Sequence, residues 1–237
     1  MISDCPTAGR ACKSCRLRRR HACRYSLKCA RVSWFQSRRL KPLLAKIDMK
    51  RPRDIQQRHA ESTDRYTKYA NIERWLKINL ARVQDLGLDR SSPKEILDLG
   101  CGAGFFLFAA KKFGHSGIGL DVDDFPLSNE LVDLLQVERK VWRIKAFELL
   151  PDLGRKFDLI TGFSTAFNRN EDESRGWNVS EWTFLLDDLG RRLQPNGKMF
   201  FDINSGKTKK YLSAEVRDLF LSRGASVKGE RILFAPS

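Results

Sequence analysis

At residues 96–106 the chain reads ILDLGCGAGFF: an apolar run interrupted by Asp98, then glycines at 100, 102 and 104. Glycine has no Cβ and enters left-handed backbone at little steric cost, so three on alternate positions let a ligand approach the main chain closely. A strand ending near a carboxylate, a glycine turn and a following helix form a nucleotide-binding layout. In the dinucleotide fingerprint G-x-G-x-x-G, a pyrophosphate sits on the helix N-terminus. Here the third glycine comes one residue earlier, giving D-x-G-x-G-x-G. Asp121 closes a second apolar run, GIGLDVDD, 17 residues after Gly104. A carboxylate at that point accepts hydrogen bonds from both hydroxyls of a ribose, and a charged acceptor makes the stronger kind.

This spacing resembles motif I of the class I S-adenosylmethionine-dependent methyltransferases, whose loop passes beneath the amino-acid and ribose parts of a cofactor without phosphate. Two further segments are similar to that family. KFDLITGFSTAFN (156–168) carries Asp158 in a strand and resembles motif IV. LLDDLGRRLQPNGKMFFDIN (185–204) resembles the helix–turn–strand where the family shows L-x-P-G-G. There Pro195 fixes φ, and Asn196, in a usual glycine position, can adopt left-handed geometry. The resemblance covers roughly residues 60–237. It implies S-adenosylmethionine as cofactor, with contacts from Asp98, Gly100, Cys101, Gly102, Gly104, Asp121, Val122, Phe147 and Phe163. One departure stands at the end of strand three. The family often has an acidic residue followed by Ala ahead of Leu-Pro, whereas KAFELLP puts Ala146 and Phe147 there. Backbone amides and stacking on Phe147 then recognise adenine; Phe147 as plain core is the competing reading.

The reaction so implied is methyl transfer by in-line displacement, which positioning in a dry cleft accelerates. The expected acceptor is an oxygen or nitrogen of a small-molecule or glycan-type compound. The loop FSTAFNRNEDESRGWNVSEW (163–182) leaves the fourth strand at the end where open α/β sheets bind ligands. Its Phe163, Phe167, Trp177 and Trp182 offer aromatic walls with a few polar groups, as a small-molecule pocket needs. Asn168, Trp177 and Phe163 are the substrate-loop candidates, and the charges of RNEDESR read equally as a solvated loop. A histidine base has few candidates, since only His21, His59 and His115 exist. His115 precedes strand two at the far end from the cleft, which leaves His59. No Asn-Pro-Pro-aromatic tetrapeptide follows strand four, which counts against the amino groups of adenine or glutamine as acceptors.

Charge and cysteine are concentrated elsewhere. Of the net +15, residues 1–48 carry +11, from 13 Lys and Arg against 2 Asp and Glu, and the remaining body carries +4. Five of six cysteines also lie there: Cys5, Cys12, Cys15, Cys23 and Cys29. The C-x₂-C at Cys12 and Cys15 resembles the opening of the fungal binuclear zinc cluster, but the next gap is seven residues and the second C-x₂-C is missing. Three readings of the leader stand open: a single zinc site on Cys12, Cys15, Cys23 and Cys29, a disordered basic arm, or a mis-annotated stretch ahead of a start at Met49. Nucleic acid enters as a partner only through this leader, giving the alternatives of an RNA or protein methyltransferase that docks by it, or a zinc-binding regulator with a cofactor-sensing fold. No run reaches the ~18–20 apolar residues that cross a bilayer, and no apolar secretory centre opens the chain, so a cytoplasmic location without membrane contact is expected.

These residues need a frame. Short apolar runs at 95–99, 117–121, 141–146, 157–162 and 198–203 predict strands. Helical spacing at 105–113, 127–138, 178–193 and 207–223 alternates with them. Such alternation predicts a three-layer α/β sandwich around a mostly parallel, doubly wound sheet. One helix spanning about 55–86 forms an N-terminal extension, with Gly87 and DRSSP as its linker. The organisation is then a leader (1–48), a helical extension and linker (49–92) and a methyltransferase domain (93–237). The tail GASVKGERILFAPS shows one clear strand, with room for a second, where the family usually has an antiparallel pair; an abbreviated sheet edge is one reading, a full pair the other.

Overall fold

The computed structural model describes residues 40–45, 47, 50–59, 67–169, 175–204 and 212–235. Seven strands form one sheet: β1 (Glu95–Leu99), β2 (Ser116–Asp121), β3 (Arg139–Val141), β4 (Phe157–Thr165), β5 (Leu193–Ile203), β6 (Ala225–Lys228) and β7 (Arg231–Phe234). Their order is β3-β2-β1-β4-β5-β7-β6. The first five run parallel, and β7 lies antiparallel between β5 and β6. The order reverses between β1 and β4, which opens a crevice at their C-terminal ends.

Helices cover both faces, as buried parallel strands require. On one side lie α1 (Lys50–Arg58), α2 (Ile72–Asp85), α3 (Phe105–Lys111) and α4 (Pro126–Leu135), and on the other α5 (Val179–Arg192) and α6 (Ala214–Ser222). β1 shows the division: Ile96 enters the core beneath the first group, Leu97 and Leu99 the core beneath the second. Leu40, Leu43 and Ile47 are buried in the first core, so the packed structure begins ahead of the expected boundary at 48. The leader cysteines lie outside the described residues. Among the described residues no helix is long and apolar enough to cross a membrane.

Several elements differ from expectation for local reasons. The single helix over 55–86 is α1, a 3₁₀ turn (Thr67–Ala70) and α2. The Asn71 side chain accepts from Arg74 N at 3.1 Å, capping α2 and starting it at Ile72. Tyr69 therefore sits in the turn. β3 stops at Val141 instead of running through 141–146, because its partner β2 ends at Asp121, the residue paired with Val141. Asn196 is not left-handed: 193–203 forms one strand with an irregular register against β4. Gly197 is needed there for space, since a Cβ would lie 2.8–3.0 Å from Leu193, Gln194 and Phe157. The C-terminal edge is complete, with β6 and β7 joined by a turn at Gly229–Glu230. The described helix near the expected 207–223 runs from Ala214, with Ser213 as its cap.

Candidate functional site

The loop after β1 takes its shape from its glycines. Gly100, Gly102 and Gly104 have φ of 67°, 55° and 75°. Gly104 is also hemmed in, because a Cβ there meets Val137 at 2.9 Å, whereas Gly102 has open space around it. The bare backbone thus faces the crevice. Asp121 ties the loop to the end of β2: one carboxylate oxygen accepts from Gly102 N and the other from Val122 N at 2.7 Å. Burial raises its pKa above the ordinary carboxylate value, opposed by these two bonds and by Arg139. Cys101 tucks under the loop, so that a Cβ on Gly119 would lie 2.3 Å from its Sγ. Burial, the largest cause, with Asp121 and Asp98 behind it, pushes this thiol up, away from the nucleophilic thiolate.

Two cavities open on the loop. The larger, of 670 Å³, is lined by Gly100, Gly102, Asp121, Val122, Ile144 and Ala146, and runs on to Phe167 and Trp177. The smaller, of 440 Å³, is lined by Asp98, Gly100, Cys101 and Gly102 on one side and by residues of α2, β5 and the β6–β7 turn on the other. Tyr69, Phe163 and Ser164 border both.

The smaller cavity is charged. Asp98 is buried, accepts from Thr161 Oγ1 at 2.7 Å and has its pKa pushed up to about 7. Burial drives that rise; the Thr161 bond and the Arg82 charge oppose it. Arg82 reaches in from α2, its guanidinium 4.4 Å from the centre of the Phe163 ring. Its two ends bond Asn79 Oδ1 at 3.0 Å and Ser164 Oγ at 3.2 Å. Ser164 occupies a bulge at the end of β4 with φ of 52°, which turns its hydroxyl toward Arg82. Sequence reasoning missed Tyr69, Asn79, Arg82 and Asp202. A signal existed: Trp75, Asn79 and Arg82 stand at i, i+4 and i+7, one stripe beside the buried Leu76, Leu80 and Val83.

The other expected residues are placed differently. Asn168 is fully buried, and its main-chain carbonyl accepts from Trp177 N at 2.8 Å. It lines neither cavity. Trp177 lines the larger cavity while packing with Phe167 and Trp182, and Trp182 continues into Phe201 and Phe220. Most of this aromatic surface is core. Phe147, with φ of 58° and 58% exposed, sits edge-on to Phe184 outside both cavities. The acidic residues 171–173 lie outside the described residues. Asp158 accepts from Glu95 N at 2.8 Å, at the start of β4, far along the strand from the crevice. His115 is buried between the Leu88 carbonyl and Lys94 N, and His59 meets Glu130 on α4. Among the described residues, no histidine borders either cavity, and no group of three metal-ligating side chains occurs.

The deciding observation is the combination of a glycine loop after β1, a carboxylate at the end of β2 and an antiparallel pair closing a doubly wound parallel sheet. The chain has the class I methyltransferase fold. No family model matches the sequence, and no curated protein does. Among solved structures, this methyltransferase fold is similar to a ribosomal protein L11 methylase from Lactobacillus delbrueckii subsp. bulgaricus (18% identity, 69% of this chain and 77% of that one, TM-score 0.42). It is similar to DesVI of Streptomyces venezuelae (14%, 69% and 92%, TM-score 0.48). It is also similar to CalS10, an amino pentose methyltransferase from Micromonospora echinaspora involved in calicheamicin biosynthesis (24%, 54% and 50%, TM-score 0.41), whose structure holds S-adenosylmethionine. Likeness at these identities concerns the fold alone.

Proposed function

We propose that the protein is an S-adenosylmethionine-dependent methyltransferase acting on an oxygen or nitrogen of a small-molecule or glycan-type acceptor. The observation carrying this reading is the open backbone cradle of Gly100 and Gly102, with the Asp121 carboxylate beside it on the larger cavity. When bound, the cofactor supplies an electrophilic methyl group on a sulfonium. Asp121 accepts from the ribose hydroxyls while keeping the loop in place. Val122, Ile144 and Ala146 enclose the base, a role Phe147 does not share from its outward position. Around the smaller cavity, Asp98 faces the amino group and Arg82 the carboxylate of the cofactor's amino-acid end. Phe163 and Tyr69, bordering both cavities, exclude water where the two meet.

Calorimetric titration with S-adenosylmethionine tests the reading. Wild-type protein binds, and Asp121→Ala weakens binding by roughly 1.5–3 kcal/mol, the worth of a hydrogen bond to a charged group. An unchanged affinity in Asp121→Ala, or no binding to wild type, overturns it.

A further inference from the structure

We infer that Asp202 is the acceptor-recognising residue of this site and that the acceptor atom it selects is an amine nitrogen; this rests on the methyltransferase reading above. Asp202 lies near the C-terminal end of β5, in register with Phe163 of β4, and lines the smaller cavity. Among the described residues, five charged side chains border that cavity: Lys68, Arg82, Asp98, Asp202 and Glu230. With Arg82 and Asp98 given to the cofactor's amino-acid end, Asp202 remains on the acceptor side.

Among the described residues, the cations near Asp202 are engaged elsewhere. Arg82 feels the Asp202 charge but bonds Asn79 and Ser164. Arg231, the residue opposite Asp202 on β7, turns to Asp85 Oδ2 at 3.6 Å. Lys68 stands over the rings of Tyr69 and Trp75, at 5.2 and 6.0 Å. Among the described residues, no side chain hydrogen-bonds or ion-pairs with the Asp202 carboxylate. A carboxylate left in this state at the edge of a polar chamber is an acceptor for donors brought by a ligand.

An amine suits it on both sides of the reaction. The ammonium first gives one proton to water; the N–H groups of the neutral amine then bond to the carboxylate, which aims the nitrogen lone pair across the chamber. That pair forms the new bond to the methyl carbon as the carbon–sulfur pair returns to sulfur. Positive charge thereby passes from sulfur to nitrogen, beside Asp202, and the methylated ammonium later sheds a proton to water. Stabilisation grows as charge develops on nitrogen, which is the form of binding that accelerates a step. An alcohol offers one donor and ends as an oxygen that has lost its proton, so it gains less from the same carboxylate.

Saturation-transfer NMR tests this on the full chain saturated with S-adenosylhomocysteine, with small primary and secondary amines paired with alcohols of the same skeleton as probes. The amines bind about tenfold more tightly than their alcohols. Asp202→Asn removes the preference, Asp202→Glu retains it, and both keep their S-adenosylmethionine affinity to within about twofold. Amines no better than alcohols (neither binding included), a preference surviving in Asp202→Asn, or a loss of cofactor affinity in that variant overturns the assignment. Failure of wild-type protein to bind S-adenosylmethionine overturns the methyltransferase reading instead, so the two failures are told apart.

Discussion

Asp98 shows how one residue serves two demands. Inside the sheet it accepts from Thr161, and at the cavity wall it presents a carboxylate whose charge burial resists. With its pKa raised by burial from the ordinary 3.8 to about 7, it holds a proton in the folded state that the unfolded chain has released between those values. Its contribution to stability is therefore fullest below about pH 4, falls as pH rises toward 7, and is flat above. Urea unfolding at pH 5 and pH 8 checks this. Wild type loses more stability on going to pH 8 than Asp98→Asn does, with a difference in slope of at most about 1.4 kcal/mol per pH unit. Asp121, also raised, adds a slope of the same sign to both proteins. In ligand terms, a cationic amino group seated against Asp98 favours its ionised form. Cofactor binding below pH 7 therefore releases a proton, and calorimetry in two buffers of different ionisation heat reads it.

At the scale of elements, α2 is more than a cover for the sheet. Leu76, Leu80 and Val83 fix it to the core, and the adjoining Trp75, Asn79 and Arg82 stripe then points at the smaller cavity. Arg82→Met keeps the stem and removes the guanidinium. It is expected to weaken S-adenosylmethionine binding by about 1.5–3 kcal/mol and to leave 5′-methylthioadenosine, which has no carboxylate, unaffected. Competitive binding of the two ligands measures this. The same helix shows what sequence does and does not disclose. The strands β1, β2, β4 and β5 were legible because buried parallel strands are written as apolar runs, and the glycine loop and Asp121 because their spacing is tied to backbone geometry. Arg82 was hidden, since a charge on an amphipathic helix reads first as solvated. Trp177 and Trp182 misled in the opposite sense: aromatic type marks burial without telling pocket from core, and here a ring cluster extends to Phe201 and Phe220. The limit of β3 depended on where its neighbour ends, and the short β6–β7 pair on contact with β5. Neither is written in a local pattern.

Taken whole, the molecule is a sheet with a core on each face, and the first core reaches back to Leu40, Leu43 and Ile47. Removing residues 1–48 takes those three side chains away, at on the order of 1.5–3 kcal/mol each, whereas removing 1–39 leaves them in place. Urea midpoints of the two truncated proteins are expected to differ accordingly, the longer deletion unfolding first; equal midpoints overturn the packing described for residues 40–47. The two cavities also differ in how far along the chain their walls extend. Every described residue bordering the larger one has been made once synthesis passes Glu181, while the smaller still awaits Asp202 and Glu230. Domains fold as units during synthesis, so both cavities take their final form only after β5 and the β6–β7 turn have been made.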